Sequence, residues 1–487
     1  MPHTDLAYSA AALGAVACAA VLLGRRRASV LAGLALLAAA ESGLAVALVP
    51  AHDLRRLGAT PAHVGGVAVA VVVVLALAAA LVRRPGVAPV LLLLAAPFRI
   101  SLDLGSQHAM LLLPLYGVLA AAALAFAWTL LRGEPSPPIP LSLAAPSAAL
   151  LGLYALSLLW AKDVHAGSIE LLSFLFPFAA LVTVVARGPC PDWLPRVLGI
   201  TVVGEAAAFA AVGLWQEVSH RVFFSRSLEV SNTYTTYFRT NSLFYDPNIY
   251  ARHLVLAIGV LVVVLWRRRL SFPLAATVIA FLWAGLYFSY SQSSLAALFV
   301  AVLSVTFVAG DHRARRMIAV AAATFVLVGT GLVAADVKGQ SLRHLTSGRS
   351  HLVSVTLDVF RSHPLVGVGV GSQPLASAEE QKSGGTAKRN ASHTTPLTVA
   401  AELGIAGLAA YLAWLAGAAA TLRRAWRRDS TTAIAFATVF GILLAHSLAY
   451  SSFFEDPITW GVVAIAAAFA ARSAPSAERP GAAPTSS

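Results

Sequence analysis

The sequence predicts an all-α integral membrane protein of about 12–15 transmembrane helices, with a long extracytoplasmic loop carrying short helices. Composition is the first reason: of 487 residues, 58% are hydrophobic and 12% charged, and the mean hydropathy is +0.76. A water-soluble surface cannot be built from so few charges, so lipid is the solvent for most of the chain. The second reason is the recurrence of apolar runs, such as Val67 to Val82, Leu111 to Leu131, Phe272 to Tyr287 and Met317 to Ala335. Each approaches the roughly 20 residues that cross a hydrocarbon core. The third is the placing of the arginines. Arg25 to Arg27, Arg83 and Arg84, Arg132, Arg187 and Arg196, Arg267 to Arg269, Arg313 to Arg316 and Arg423 to Arg428 fall in alternate loops. The positive-inside rule assigns those loops to the cytoplasm.

The first apolar run, residues 6 to 23, precedes its basic residues, the reverse of a cleaved secretory signal, and is read as a retained helix. The formal charge of +13 would suggest nucleic acid in a soluble protein. Here the arginines orient helices instead. Cys18, in an apolar run, and Cys190, in a basic loop, are poorly placed to pair, so neither a disulfide nor a thiolate metal site is expected. Glu134 to Pro140 reads as a hinge after the N-terminal helices, and residues 473–487 read as a disordered cytoplasmic tail.

With the arginines inside, the outward loops are 51 to 63, 99 to 108, 161 to 167, 218 to 247, the turn near Ser289 to Gln292, 337 to 394 and 450 to 457. Two of these are long and polar. Loop 218–247 holds Phe238-Arg239-Thr240-Asn241-Ser242-Leu243-Phe244-Tyr245-Asp246-Pro247-Asn248. Asp246, Pro247 and Asn248 suit a helix start. Arg239, a cation outside the cytoplasmic clusters, is suited to a phosphate or carboxylate through its bidentate fork, or to snorkelling at the surface.

Loop 337–394 holds Ser347-Gly348-Arg349-Ser350, then Arg361 and Pro364-Leu365-Val366-Gly367-Val368-Gly369-Val370-Gly371, and finally Ser392-His393-Thr394. The glycines lack the spacing and the strand-helix setting of a dinucleotide-binding turn. They are expected to let backbone approach a ligand or another helix. His393, at the lip of the helix containing Glu402-Leu403-Gly404, could take a proton from a hydroxyl near neutral pH, or merely cap the helix.

In this order, these segments resemble the O-antigen ligase and polymerase family of bacterial polytopic membrane glycosyltransferases. The resemblance covers about residues 140–470, from Leu158-Leu159-Trp160-Ala161-Lys162-Asp163 through Arg239, Phe244 and Pro247-Asn248 to Gly348-Arg349, Pro364 to Gly369, His393 and Glu402-Leu403-Gly404. Residues 1–133 fall outside it. Four positions depart from the family pattern: Ser242 replaces a usual glycine, Val353 an aromatic, Thr394 an asparagine and Gln292 an arginine.

The resemblance implies a glycosyltransferase, inverting and metal-independent. It would move a glycan from a polyprenyl-diphosphate carrier to an acceptor hydroxyl on a glycan, lipid or protein, at the outer face of a bacterial cytoplasmic membrane, with no cofactor and no nucleic acid partner. Arg239 and Arg349, with Arg361 as a third candidate, would hold the donor diphosphate, and His393 would act as general base. The outward loops also lack a compact acidic cluster of the kind a divalent ion needs. Two rival classes stand beside this reading. A transporter or flippase of lipid-linked glycans would need buried charges along a path, for which Glu41, Glu205 and Glu402 are the candidates. A metal-dependent polyprenol-phosphate glycosyltransferase would need acids in an early outward loop, where Asp53 and Asp103 stand isolated.

Overall fold

The computed structural model of the chain describes residues 3–49, 61–104, 107–309, 312–313, 315–316, 349–381, 392–450 and 452–471. The apolar run Met317 to Ala335, Ser347-Gly348, Asp53 and the tail 473–487 lie outside the described residues.

The helices, in chain order, are α1 (Thr4–Leu23), α2 (Arg27–Leu48), α3 (Pro61–Arg83), α4 (Ala88–Ala95), α5 (Leu113–Leu131), α6 (Leu141–Ser157), α7 (Val164–Arg187), α8 (Leu194–Ser219) and α9 (Arg226–Tyr234). They continue with α10 (Pro247–Trp266), α11 (Phe272–Ser289), α12 (Gln292–Ala309), α13 (Arg349–Ser362), α14 (Gln373–Glu380), α15 (Thr395–Trp426), α16 (Ser430–Ser447) and α17 (Pro457–Ala471). Among the described residues 11 helices are long and apolar enough to cross a membrane, and three shorter apolar ones accompany them. Together they fall within the count expected from hydropathy. The short helices α9, α13 and α14 sit in the two long polar loops. One small addition is an antiparallel hairpin, Ile100–Leu104 with Gln107–Leu111, in register Asp103 opposite His108.

Burial separates the centre of the bundle from its edge. In α10, 72% of the membrane-length window is buried inside the protein, against 11% in α3. Helix α10 packs against α8, α11, α12 and α16, whereas Val67, Val69 and Val72 of α3 are exposed. An exposed valine stripe would be unstable in water. In hydrocarbon it is matched to its solvent. The apolar core runs without a break from Ala7 and Leu44 through Phe176 and Leu254 to Phe469, so the N-terminal helices share one core with the rest.

The arginine-rich loops gather at one end. Arg187 donates to the carbonyls of Val21, Leu22 and Gly24, capping α1 from the end of α7. Arg267 donates to Ser430 Oγ at 3.0 Å, tying the end of α10 to the start of α16. These are the loops that sequence alone assigns to one side, and the fold brings them together. Among the described residues, the Trp160–Asp163 turn, the 364–371 loop and the start of α15 meet at the opposite end.

Two helices are interrupted, and each has an identifiable cause. A π turn at Leu171–Leu175 widens α7, where Tyr116 Oη donates to the carbonyl of Ser173. Helix α15 is broken at Gly404, whose φ of 66° and ψ of −158° no helix contains. Backbone groups freed at depth in a membrane need new partners. The loop before α14 supplies them, as follows.

Candidate functional site

The glycine loop 364–371 lies against the break in α15 like a short extra strand. Val368 N donates to Ala401 O at 2.9 Å, Gly369 N to Glu402 O at 2.9 Å, and Ile405 N to Pro364 O at 2.8 Å. Gly367, at φ +69°, leaves no room for a side chain, since a Cβ there would overlap the backbone of Glu402. Gly404 is held in the same way by the backbone of Leu365. The expectation that these glycines permit close backbone approach is met, and the partner is a helix.

The Trp160 to Asp163 turn closes over the same loop. Trp160 Nε1 donates to Val366 O at 3.2 Å, Lys162 N to Val368 O at 3.1 Å, and Asp163 N to Ser372 Oγ at 3.0 Å. Asp163 also caps α7 by accepting from Ala166 N. Three segments that sequence alone aligned with one family therefore form one unit in space.

His393 sits at the entrance to α15 with φ +59°, a conformation that few residues other than glycine adopt. Its neighbours are fully buried or engaged: Ser392 N donates to Gln373 Oε1 at 3.2 Å, and Thr394 N donates to Ser392 Oγ at 3.2 Å. The imidazole ring centroid lies 6.4 Å from that of Tyr450.

Loop 218–247 is built around Gln216 of α8. Its Oε1 accepts from Asn241 N and Ser242 N at 3.1 and 2.7 Å, and its Nε2 donates to Ser242 O at 2.9 Å. Ser242, where the family pattern has glycine, adopts φ +51°, and its hydroxyl donates to Phe209 O. Asn232 of α9 holds Arg239 by both its backbone N–H and its carbonyl. The Nε of Arg239 donates to Ser289 O at 3.1 Å, and among the described residues its terminal nitrogens have no hydrogen-bond partner.

Asp246 does more than cap α10. Its Oδ1 accepts from Asn248 N, while its Oδ2 accepts from Tyr450 Oη at 2.7 Å. Burial, followed by the Asp246 carboxylate, pushes the Tyr450 phenol upward, so it stays a donor. Asn248 Oδ1 accepts from Ser291 Oγ at 2.8 Å, and Ser293 Oγ lies 3.3 Å from His446 Nε2. The His446 and Tyr450 rings are 5.4 Å apart. Below this network Arg252 of α10 is paired with Asp456 at 2.7 Å, with the two side chains 4% and 2% exposed, and donates to Ser452 Oγ. Glu455, beside that pair, is raised above the usual carboxylate range by burial, against the pull of Arg99 and Arg252.

The residues singled out from sequence thus fall as follows. His393 and the Arg239 loop meet through Tyr450 and Asp246. Arg349 is the first residue of α13; its side chain lies outside the described residues. Arg361, in the last turn of α13, is 67% exposed and paired with Asp358 of its own helix at 3.1 Å. Lys162 and Glu379 form an exposed pair at 3.0 Å. Sequence reasoning missed Tyr450, His446, Asp456 and Arg252. For Arg252 a signal was present, a charge inside an apolar run and apart from the arginines of the loops on either side, Arg239 and Arg267. Its omission also left the tally of buried charges, Glu41, Glu205 and Glu402, incomplete. A cavity of about 1230 Å³ lies elsewhere, with Arg196, Arg269 and Arg428 among its lining residues. It contains none of these residues.

The fold and site define a multi-pass α-helical membrane protein whose polar loops assemble one histidine, one arginine-bearing loop and a glycine-braced helix break at a single end of the bundle. Residues 276–412 match the family model described as O-antigen ligase, a likeness that covers this part of the chain. The matched stretch holds Arg349, Arg361, Gln373, His393 and Glu402; Arg239 and Tyr450 lie outside it. No curated protein matches the chain.

Proposed function

We propose that this protein transfers a glycan from a polyprenyl-diphosphate carrier to an acceptor hydroxyl, on the outer side of a bacterial cytoplasmic membrane. The observation that carries the reading is Tyr450. Its ring centroid lies 6.4 Å from that of His393 while its hydroxyl donates to Asp246, so the histidine corner stands beside the loop that presents Arg239. In the reaction the acceptor oxygen forms a bond to the anomeric carbon as the bond from that carbon to the diphosphate oxygen breaks. His393 takes the acceptor proton, and polyprenyl diphosphate leaves. Arg239 and Arg349 hold the diphosphate and offset the charge that builds on it, with Arg361 as a further cation from the same helix. Direct displacement inverts the anomeric centre, and the arginines do the work a divalent ion would otherwise do.

The test is transfer by purified protein in detergent, using a polyprenyl-diphosphate oligosaccharide, a panel of acceptors and EDTA. Product and free polyprenyl diphosphate are expected from wild type, and neither from Arg349→Ala or His393→Ala. Full activity in both variants would overturn the site. Movement of unconsumed donor across proteoliposomes would favour a transporter. Sidedness has its own test, because both native cysteines are buried. Thr236→Cys, in the exposed part of loop 218–247, should react with an impermeant thiol reagent in intact cells. Reaction only after lysis would reverse the topology.

A further inference from the structure

The side chain of Gln373 stands where the two halves of the candidate site join. It is 1% exposed, and each of its polar atoms is engaged. Oε1 accepts from Ser392 N at 3.2 Å, immediately before His393. Nε2 donates to Ser377 Oγ at 2.7 Å and to Thr356 Oγ1 at 3.2 Å. Thr356 belongs to α13, the helix that begins at Arg349 and ends beyond Arg361. The backbone N of Gln373 points to Glu402 Oε1 at 3.4 Å, on the lip of the break in α15. One amide side chain therefore ties the histidine corner to the arginine-bearing helix, and its own backbone is tied to the helix that the corner begins.

The backbone of His393 gives this contact its consequence. A φ of +59° is costly for a residue with a Cβ and persists only where its surroundings hold it. On one side Ser392 is held by Gln373; on the other Thr394 is held by Ser392, whose hydroxyl also meets Thr398. Released from Gln373, the Ser392 peptide could rotate and His393 could relax toward the ordinary φ region, swinging the imidazole away from Tyr450. A carboxamide is the side chain that suits the position, since it must accept from one partner and donate to two others at once.

We infer that Gln373 is a positioning residue, which sets the imidazole of His393 in register with the arginines of α13; the inference rests on the transferase reading above. Gln373→Met keeps the length and removes all three bonds. Gln373→Glu keeps the acceptor for Ser392 N and loses the amide donors. In the transfer assay, Gln373→Met is expected to lower kcat roughly 100-fold, the cost of misplacing a reacting group by about 1 Å, with donor KM changed less than about threefold. Gln373→Glu should recover part of that loss. A second readout needs no activity: amide hydrogen exchange at Ser392, slow in wild type and fast in Gln373→Met, in protein whose Tm shows it folded. Unchanged exchange at Ser392, or unchanged kcat in a Gln373→Met variant of an active enzyme, would overturn the inference. If wild type transfers nothing, the transferase reading fails, and the exchange measurement still decides whether Gln373 holds the corner.

Discussion

Two polar assemblies share one end of this bundle and are built by opposite means. The glycine corner, where loop 364–371 lies against the break at Gly404, is held by backbone bonds between Val368, Gly369 and Ile405 and their carbonyl partners. The Asp246–Tyr450 and Arg252–Asp456 network is held by side chains that in each pair come from positions 204 residues apart in the chain. A backbone corner depends on which residues lack a side chain. A side-chain network depends on which charges find partners. The two should therefore fail differently when altered.

The largest effect belongs to the network. Arg252→Met strands the Asp456 carboxylate in a buried site, and removing one member of such a pair costs about 3–5 kcal/mol. The double variant Arg252→Met with Asp456→Leu should recover most of the loss, as read by thermal unfolding in detergent. A double variant as unstable as the single one would mean that the pair holds α10 to α17 by more than charge. Next comes the corner. Gly404→Ala places a Cβ at φ +66° against the backbone of Leu365, with an expected loss of about 3 kcal/mol. An alanine variant of wild-type Tm would show that the loop can retreat from α15.

Tyr450→Phe removes a single bond to a carboxylate and should cost about 1.5 kcal/mol, visible as a modest fall in Tm. The smallest effect is expected at Lys162, whose pair with Glu379 is exposed on both sides, at 35% and 40%. Lys162→Ala should change stability by less than about 1 kcal/mol. A larger loss there would point to a network that reaches into the glycine loop.

The difference between the assemblies also explains what the sequence could reveal. Gly367, Gly369 and Gly371 were legible because few other residues tolerate their backbone conformations, so each constraint is written at its own position. The helices were legible for a similar reason, since hydrocarbon demands apolar runs of fixed length. Tyr450 and Asp456 were not, because nothing in their local sequence reports a partner some 200 positions away. Asp246 was half legible: its capping role follows from Asp-Pro-Asn, and its bond to Tyr450 does not. The break in α15 was hidden as well. Gly404 stands within a run hydrophobic enough to pass for an unbroken span, and only the partners of Ala401 and Glu402 reveal that the helix opens.

The proposed function divides the labour at this end of the bundle, the Arg239 loop holding donor and the His393 corner activating acceptor. Its most direct test is steady-state transfer by wild type, Arg239→Ala and His393→Ala with donor varied at saturating acceptor. The account predicts a raised donor KM, with some loss of kcat, for Arg239→Ala. For His393→Ala it predicts a kcat lowered at least about 100-fold at an unchanged donor KM. Wild-type kcat in His393→Ala, or a donor KM indifferent to Arg239, would contradict it.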